Sequence, residues 1–193
     1  MSDKLSVKEI IFKCACDIFS EKGFLDSTVK DITEKADVNV AAITYYFGSK
    51  ENLIDMVVER YLDKLYGLFI ILENRHASPI QRLRTYSDSF MNMVNSNIYK
   101  NLVVQAIRAE RMIEEITGLI EAHAHVYKNI IKEITGIEDE HTLNLKTELY
   151  ASAITYPMLL NRYTAQVIHL DFSRPDIREQ YIDMLLTNLF SCR

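Results

Sequence analysis

The stretch 28–50, TVKDITEKADVNVAAITYYFGSK, constrains this chain more than any other. It reads as two short helices joined by a tight turn, followed by the start of a third. Thr28 stands where a helix N-cap belongs and Asp31 lies three residues on, an Asp version of the reciprocal capping box. Val29, Ile32 and Ala36 recur at i, i+3 and i+7 and mark one buried face. Asp37-Val38-Asn39 then gathers residue types that tolerate left-handed backbone and suit turns and caps. Asn39 is placed to cap a second helix over 40–47, and Gly48-Ser49 ends it. Two short helices around such a turn form the helix-turn-helix signature.

The same stretch has the chemistry of a nucleic-acid face. The chain carries 27 acidic residues, yet none falls between Val38 and Lys50. The polar groups left there are Asn39, Thr44, Tyr45, Tyr46, Ser49 and Lys50, and hydroxyls, amides and a lysine are groups that bond phosphate oxygens. Val40 and Ala41 lead the second helix and can either meet thymine methyls or pack inward, whereas Ile43 reads as packing. Thr44 and Tyr45 lie one turn further along. Lys30, near the start of the preceding helix, is in reach of a base or a phosphate. Thr28, Tyr46 and Lys50 read as phosphate clamps, Lys50 because it opens a helix whose free N–H groups favour an anion. No arginine occurs in the stretch, so the commonest guanine-reading contact is absent. The net charge of −5, doubled to −10 in a pair, disfavours a generic polyanion binder and predicts weak non-specific binding with steep salt dependence.

A longer pattern surrounds this stretch: Ile11-Phe12, Ala15 and Phe19, then Gly23-Phe24, then Ser27-Thr28-Val29 with Asp31-Ile32. It continues with Ala36, Val38-Asn39, Tyr45-Tyr46-Phe47, Ser49-Lys50-Glu51 and Leu53. Over that quarter of its length the chain resembles the TetR family of one-component bacterial transcriptional regulators. The resemblance implies that the second helix of the motif enters the major groove. It also implies a homodimer built through a four-helix bundle of the last two helices, and a ligand held in the second domain. Four positions depart from the family pattern: Asp37 replaces a glycine of the turn, Thr33 an alanine, Tyr46 a common histidine, and Thr44 a frequent tyrosine or asparagine.

The remaining chain reads as all-α, since 5 glycines and 3 prolines are too few for turn-rich sheets. A three-helix DNA-binding domain over 1–50 is expected to precede a larger helical ligand-binding and dimerisation domain over 51–193. A supporting helix over 6–22 closes at Gly23, a natural residue for that position. A long helix runs from Ser49 to about residue 73, and Ser78-Pro79 opens another over 79–94. Further helices are expected over 98–108, 112–135 and 141–170, the last kinked or locally broken at Pro157, and over 176–191 after Pro175. The last two are apolar on more than one face, which points to a homodimer through them or to the centre of a monomer.

In the middle helices, large adaptable side chains stand beside a few polar ones, as a small-molecule site requires. Phe90, Met93, Gln105, Arg108, Tyr127 and Asn161 are the candidate ligand residues for an unidentified effector, with Tyr86, Met91, Tyr99, Met112 and His123 near them in the pattern. Plain core packing gives the same stripe. Cys14, Cys16 and Cys192 follow no metal or redox spacing and read as reduced thiols of a cytosolic protein. The N-terminus carries no signal-peptide core, and no apolar run reaches membrane-spanning length, so a cytoplasmic chain with no membrane partner is expected. His123 and His125 diverge by about 200° on a helix and cannot share a metal ion. There is no glycine-rich phosphate loop and no nucleophile–base pair, so neither an enzyme nor a cofactor is expected. The reading is a transcriptional regulator, most simply a repressor. As a homodimer it would hold a palindromic double-stranded operator, with half-sites about 34 Å apart or more, and a small molecule would release it. The alternatives are a helical interaction protein and a metal-sensing regulator.

Overall fold

The computed structural model of the chain describes residues 5–96, 98–99 and 113–190. Among them the regular structure is α-helical: α1 (Val7–Lys22), α2 (Val29–Ala36), α3 (Ala41–Phe47), α4 (Lys50–Gly67), α5 (Phe69–Glu73), α6 (Pro79–Val94), α7 (Ile113–Thr135), α8 (Glu140–Val167) and α9 (Pro175–Phe190). They fall into two compact units. The first holds the described residues up to Asp63, with Ser96, Ile98 and Tyr99; the second holds Lys64–Asn95 and the described residues from 113 onward. The division falls inside α4, between Asp63 and Lys64, later than the boundary at 50 expected from the sequence. The first turns of α4 supply Leu53, Val57 and Val58 to the buried core of the first unit.

In the first unit the helix starts follow the local chemistry. Ser6 caps α1 in a full capping box with Glu9, and Gly23 ends it at φ 82, a backbone state that favours glycine. The stripe Ile11, Ala15, Ile18 and Phe19 is buried, as are Ile32 and Ala36 of α2 and Ile43 and Phe47 of α3. Phe24 closes the cluster, its ring 5.0 Å from that of Phe19. Lys8 lies over the ring of Phe47 and Arg60 over that of Phe12, so two cations cover the edges of this small core.

The long helix expected to reach residue 73 is two helices. Leu68 N–H bonds Leu65 O at 3.1 Å and Ile71 N–H bonds Leu68 O at 3.0 Å, the tightened i−3 pattern of a broken ladder. Gly67 supplies the weak point, because glycine loses more backbone freedom in a helix than other residues. A Cβ there would meet nothing within 4 Å, so packing does not demand the glycine.

The second unit is centred on three buried tyrosines. Tyr86 and Tyr127 share a hydrogen bond of 2.7 Å between their hydroxyls, and Tyr150 bonds Ser87 Oγ at 2.8 Å. Their rings meet edge to face, Tyr127 with Tyr86 at 5.5 Å and with Tyr150 at 4.9 Å, the arrangement that ring quadrupoles favour. Arg82, only 3 % exposed, ties three helices together. Its Nη1 donates to Leu72 O at the end of α5 and its Nη2 to Glu133 of α7, both at 2.6 Å. Arg178, also buried, bonds Asp88 of α6 and the carbonyls of Phe172 and Ser173, fixing the start of α9.

Pro157 does not break α8, which stays helical from Glu140 to Val167. Proline has no N–H, so the carbonyl four residues earlier, on Ala153, loses its intrahelical donor. The hydroxyl of Tyr181 in α9 donates to that carbonyl at 2.7 Å and replaces it. Tyr181→Phe is therefore expected to lower stability by about 1 kcal/mol, while adding Pro157→Ala to Tyr181→Phe regains most of that loss. Urea unfolding of the single and double variants measures both. Five exposed apolar residues of α8, namely Leu145, Leu149, Tyr156, Tyr163 and Val167, stand apart from this packed side. Their spacing places them within about 40° of one another around the helix, and Met184 of α9 is exposed as well.

Candidate nucleic-acid interface

The residues singled out over 28–50 fold into α2, a turn, α3 and the first residue of α4. Thr28 caps α2, with Asp31 N–H donating to its hydroxyl at 3.1 Å. The Asp31 carboxylate in turn accepts from Thr28 N–H and from the Thr28 hydroxyl, each at 2.8 Å. Lys22 adds an ion pair to the same carboxylate at 2.5 Å. Together the Lys22 and Thr28 hydrogen bonds hold Asp31 well below the usual carboxylate value, at about 2. Because the folded state lowers this pKa, the stabilisation is complete above pH 4 or so and is lost as pH falls toward the folded value. Asp31→Asn is expected to flatten the dependence of melting temperature on pH between about 4 and 2 and to leave its shape above pH 5 unchanged. Thermal melts of both proteins across that range check it.

The turn is closed by Asp37, which adopts the left-handed conformation at φ 52 and ψ 51. Asp37 N–H and Val38 N–H reach back to the carbonyls of Glu34 and Thr33 and finish α2. Thr33 is buried, its hydroxyl donating to Lys30 O at 3.1 Å, so its extra polar atom over alanine is satisfied within the helix. Asn39 Oδ1 accepts from Ala41 N–H at 2.9 Å and caps α3, which leaves its NH₂ group as the donor for other partners. The helix begins at Ala41, one residue later than expected, with Val40 as its flanking residue.

The structure separates packing from exposed residues within α3. Ile43 and Phe47 are buried, whereas Val40, Ala41, Thr44 and Tyr45 face solvent and Tyr46 is half-buried. Val40 and Ala41, for which the sequence leaves both roles open, are thus surface residues. Tyr45 is 82 % exposed, with Tyr46 packed edge-on against it at 4.8 Å between ring centres. An aromatic ring held out in this way gains little from folding. Lys30 is exposed and pairs loosely with Glu34 at 3.6 Å, and both line an open depression with Thr33, Asp37, Val38, Asn39 and Val40.

Two of the expected phosphate clamps also have partners within the protein. The Thr28 hydroxyl is engaged in the capping box. The Lys50 ammonium donates to the carbonyl of Ser27, a partner 23 residues away that no helical periodicity reveals. Of the expected DNA-facing residues, Thr28, Lys30, Asn39, Val40, Ala41, Thr44 and Tyr45 are exposed, and Tyr46 and Lys50 are half-buried.

Residues 11–57 match the family model for bacterial regulatory proteins, tetR family. Over this stretch the chain is similar to the TetR family. The probable HTH-type transcriptional regulator YttP of Bacillus subtilis is 25 % identical over 190 residues, covering 93 % of this chain and 90 % of that one. The biofilm operon icaADBC HTH-type negative transcriptional regulator IcaR of Staphylococcus aureus is 24 % identical over 148 residues, covering 77 % and 78 %. In fold the chain is similar to the transcriptional regulator FadR of Bacillus subtilis, solved in complex with stearoyl-CoA. That structure superimposes with a TM-score of 0.68 at 15 % identity, covering 93 % of this chain and 97 % of that one. The stretch matched by the family model includes α2, α3 and their connecting turn.

The candidate ligand residues are distributed unevenly. Phe90 and Tyr127 are buried in the second unit, Phe90 stacked on Tyr86 with ring centres 5.8 Å apart. Met93 is half-buried. Asn161 is 7 % exposed and its amide is engaged: Nδ2 faces Asn95 and Asp171 at 3.2 Å each, and Oδ1 accepts from Phe172 N–H at 2.7 Å. It fixes the α8–α9 loop. Gln105, Arg108 and Met112 lie outside the described residues, as does the helix expected over 98–108 apart from Ile98 and Tyr99. His123 is buried beside Phe69, at 4.6 Å between ring centres, while His125 is exposed and bonds Asn129. Among the described residues no group of three metal-binding side chains converges, and no helix is long and apolar enough to cross a membrane.

Proposed function

We propose that this chain is a transcriptional repressor that binds a palindromic operator as a homodimer and is released by a small molecule in its second unit. The observation that carries the DNA reading is the outward face of α3: a carboxylate-free helix with Val40, Ala41, Thr44 and Tyr45 all exposed. A monomer has no use for such a surface, since burial of these residues would add stability. One short helix reads few base pairs, so specificity calls for two copies on successive turns of the duplex.

The pairing surface we favour is the exposed stripe of α8, Leu145, Leu149, Tyr156, Tyr163 and Val167, together with Met184 of α9. An exposed apolar stripe of this length suits an interaction site. The effector reading rests on the aromatic centre around Tyr86, Phe90 and Tyr127. The stearoyl-CoA bound by the Bacillus subtilis regulator of the same fold makes an acyl ligand the first class to try.

The test is fluorescence anisotropy with a duplex spanning the region upstream of the protein's own gene, against mixed-sequence DNA of equal length. Footprinting follows on the preferred fragment. A protected inverted repeat, bound by two chains, is the expected outcome. Equal affinity for both duplexes at every salt concentration would remove the DNA reading. Acyl-CoA compounds are then added to the preformed complex and release is followed.

A further inference from the structure

We propose that Asp37 limits the affinity of the DNA-facing surface: its carboxylate stands against the phosphate backbone and weakens the grip of the first unit on any duplex. Resting on the DNA reading above, the proposal names what holds that grip down, where Lys30, Asn39 and Tyr45 supply it.

Asp37 ends α2 in the left-handed conformation, at φ 52 and ψ 51. Asp enters that state more readily than most residues, but glycine does so without steric cost. The position is also the C-terminal end of α2, where the helix dipole is already negative and a carboxylate is opposed. Lys35, the basic residue of the last turn, is drawn toward α1, with Glu21 at 3.1 Å and Asp17 at 3.5 Å from its amine. The Asp37 side chain is exposed, and among the described residues its carboxylate has no ion-pair or hydrogen-bond partner. Two local costs are thus met with no internal gain, which turns attention to what the carboxylate faces outside the chain.

Asp37 lines the same open depression as Lys30, Asn39 and Val40, three of the candidate DNA residues, with Glu34 beside them. One amine stands there against two carboxylates, and that amine lies 3.6 Å from Glu34. The depression as a whole therefore carries negative charge on a surface whose other groups suit a polyanion. A phosphate offers a carboxylate like charge and no donor. Asn39, two residues on, keeps its NH₂ group for such an oxygen because its Oδ1 is engaged by Ala41 N–H. A phosphate drawn to that donor is also brought toward Asp37.

The test titrates wild type, Asp37→Asn and Asp37→Gly with the mixed-sequence duplex and with the upstream duplex over a range of salt, and a thermal melt checks that each variant keeps its fold. Asn tolerates the left-handed state but carries no charge, whereas Gly removes both the charge and the steric cost. A repelling carboxylate makes both variants bind both duplexes about three- to ten-fold more tightly at low salt. Log affinity then falls more steeply against log salt, by up to about 0.9 for each carboxylate removed. If Asp37→Gly binds more tightly while Asp37→Asn matches wild type, the backbone is the cause and the proposal fails. Unchanged binding in both variants overturns it too, and so does weaker binding, which would make Asp37 a favourable contact. A wild type that treats the two duplexes alike at every salt concentration fails the DNA reading instead, while the variants' affinity and salt slope on mixed-sequence DNA still decide whether Asp37 repels phosphate.

Discussion

Tyr45→Ala is expected to weaken operator binding by about ten- to a hundred-fold while shifting the melting temperature very little. Tyr45 stands 82 % exposed on α3, so removing its ring deletes almost no buried area. Substitutions at such surface positions ordinarily change stability by within about 0.5 kcal/mol. The ring and hydroxyl project from the face that would enter the groove, where an aromatic side chain contributes both apolar contact and a phosphate or base hydrogen bond. Phe47→Ala is the informative contrast. Phe47 is only two residues on but is buried, and its truncation is expected to lose about 3 kcal/mol or more. It would weaken DNA binding through loss of the folded head, and the melting curve would register it. Anisotropy titrations paired with melts separate the two. A Tyr45→Ala protein that binds as tightly as wild type would remove α3 from the contact surface.

The second large effect is expected at Tyr150. Its side chain is fully buried, its ring packs edge-on against Tyr127, and its hydroxyl bonds Ser87. Tyr150→Ala leaves a cavity in the middle of the second unit and is expected to lose about 4 kcal/mol. Tyr150→Phe removes only the hydroxyl and is expected to lose about 1 kcal/mol, because Ser87 keeps its bond to Leu83 O at 2.7 Å. Burial raises the Tyr150 phenol well above its ordinary 10.0. An acid whose folded pKa is raised keeps its proton in the native state after the unfolded chain has lost it, so stability falls as pH climbs past 10. Tyr150→Phe should therefore lose less stability between pH 9 and about 11 than wild type, as denaturant melts along that range will register. The cavity left by Tyr150→Ala is also the natural place to look for induced ligand capture, since a dry apolar hole of that size accepts small aromatic molecules.

Much of the head is legible in the sequence because its signals are local. Thr28 there, like Ser78 in the second unit, announces a helix start through bonds that reach only three residues, and both form the reciprocal box. Asp37 in the left-handed turn and Asn39 as the cap of α3 follow from backbone preferences of single residues. What local reading misses depends on partners far along the chain. Only the fold brings Ser27 O to the Lys50 ammonium, and only the α8–α9 loop supplies Phe172 and Asp171 to the Asn161 amide. The division of the long helix at Gly67 escapes the pattern because the apolar stripe continues across the break, and periodicity alone does not register a change in hydrogen bonding.

Pro157 is a weak point by sequence, and the bond from Tyr181 to Ala153 O makes it a register mark instead. If α9 slid by one residue along α8, that carbonyl would be stranded without a donor inside protein. The two helices are thereby keyed to each other at a single allowed offset. Any motion of the surface they carry is then the tilt of a solid plate, with no internal slippage to absorb it.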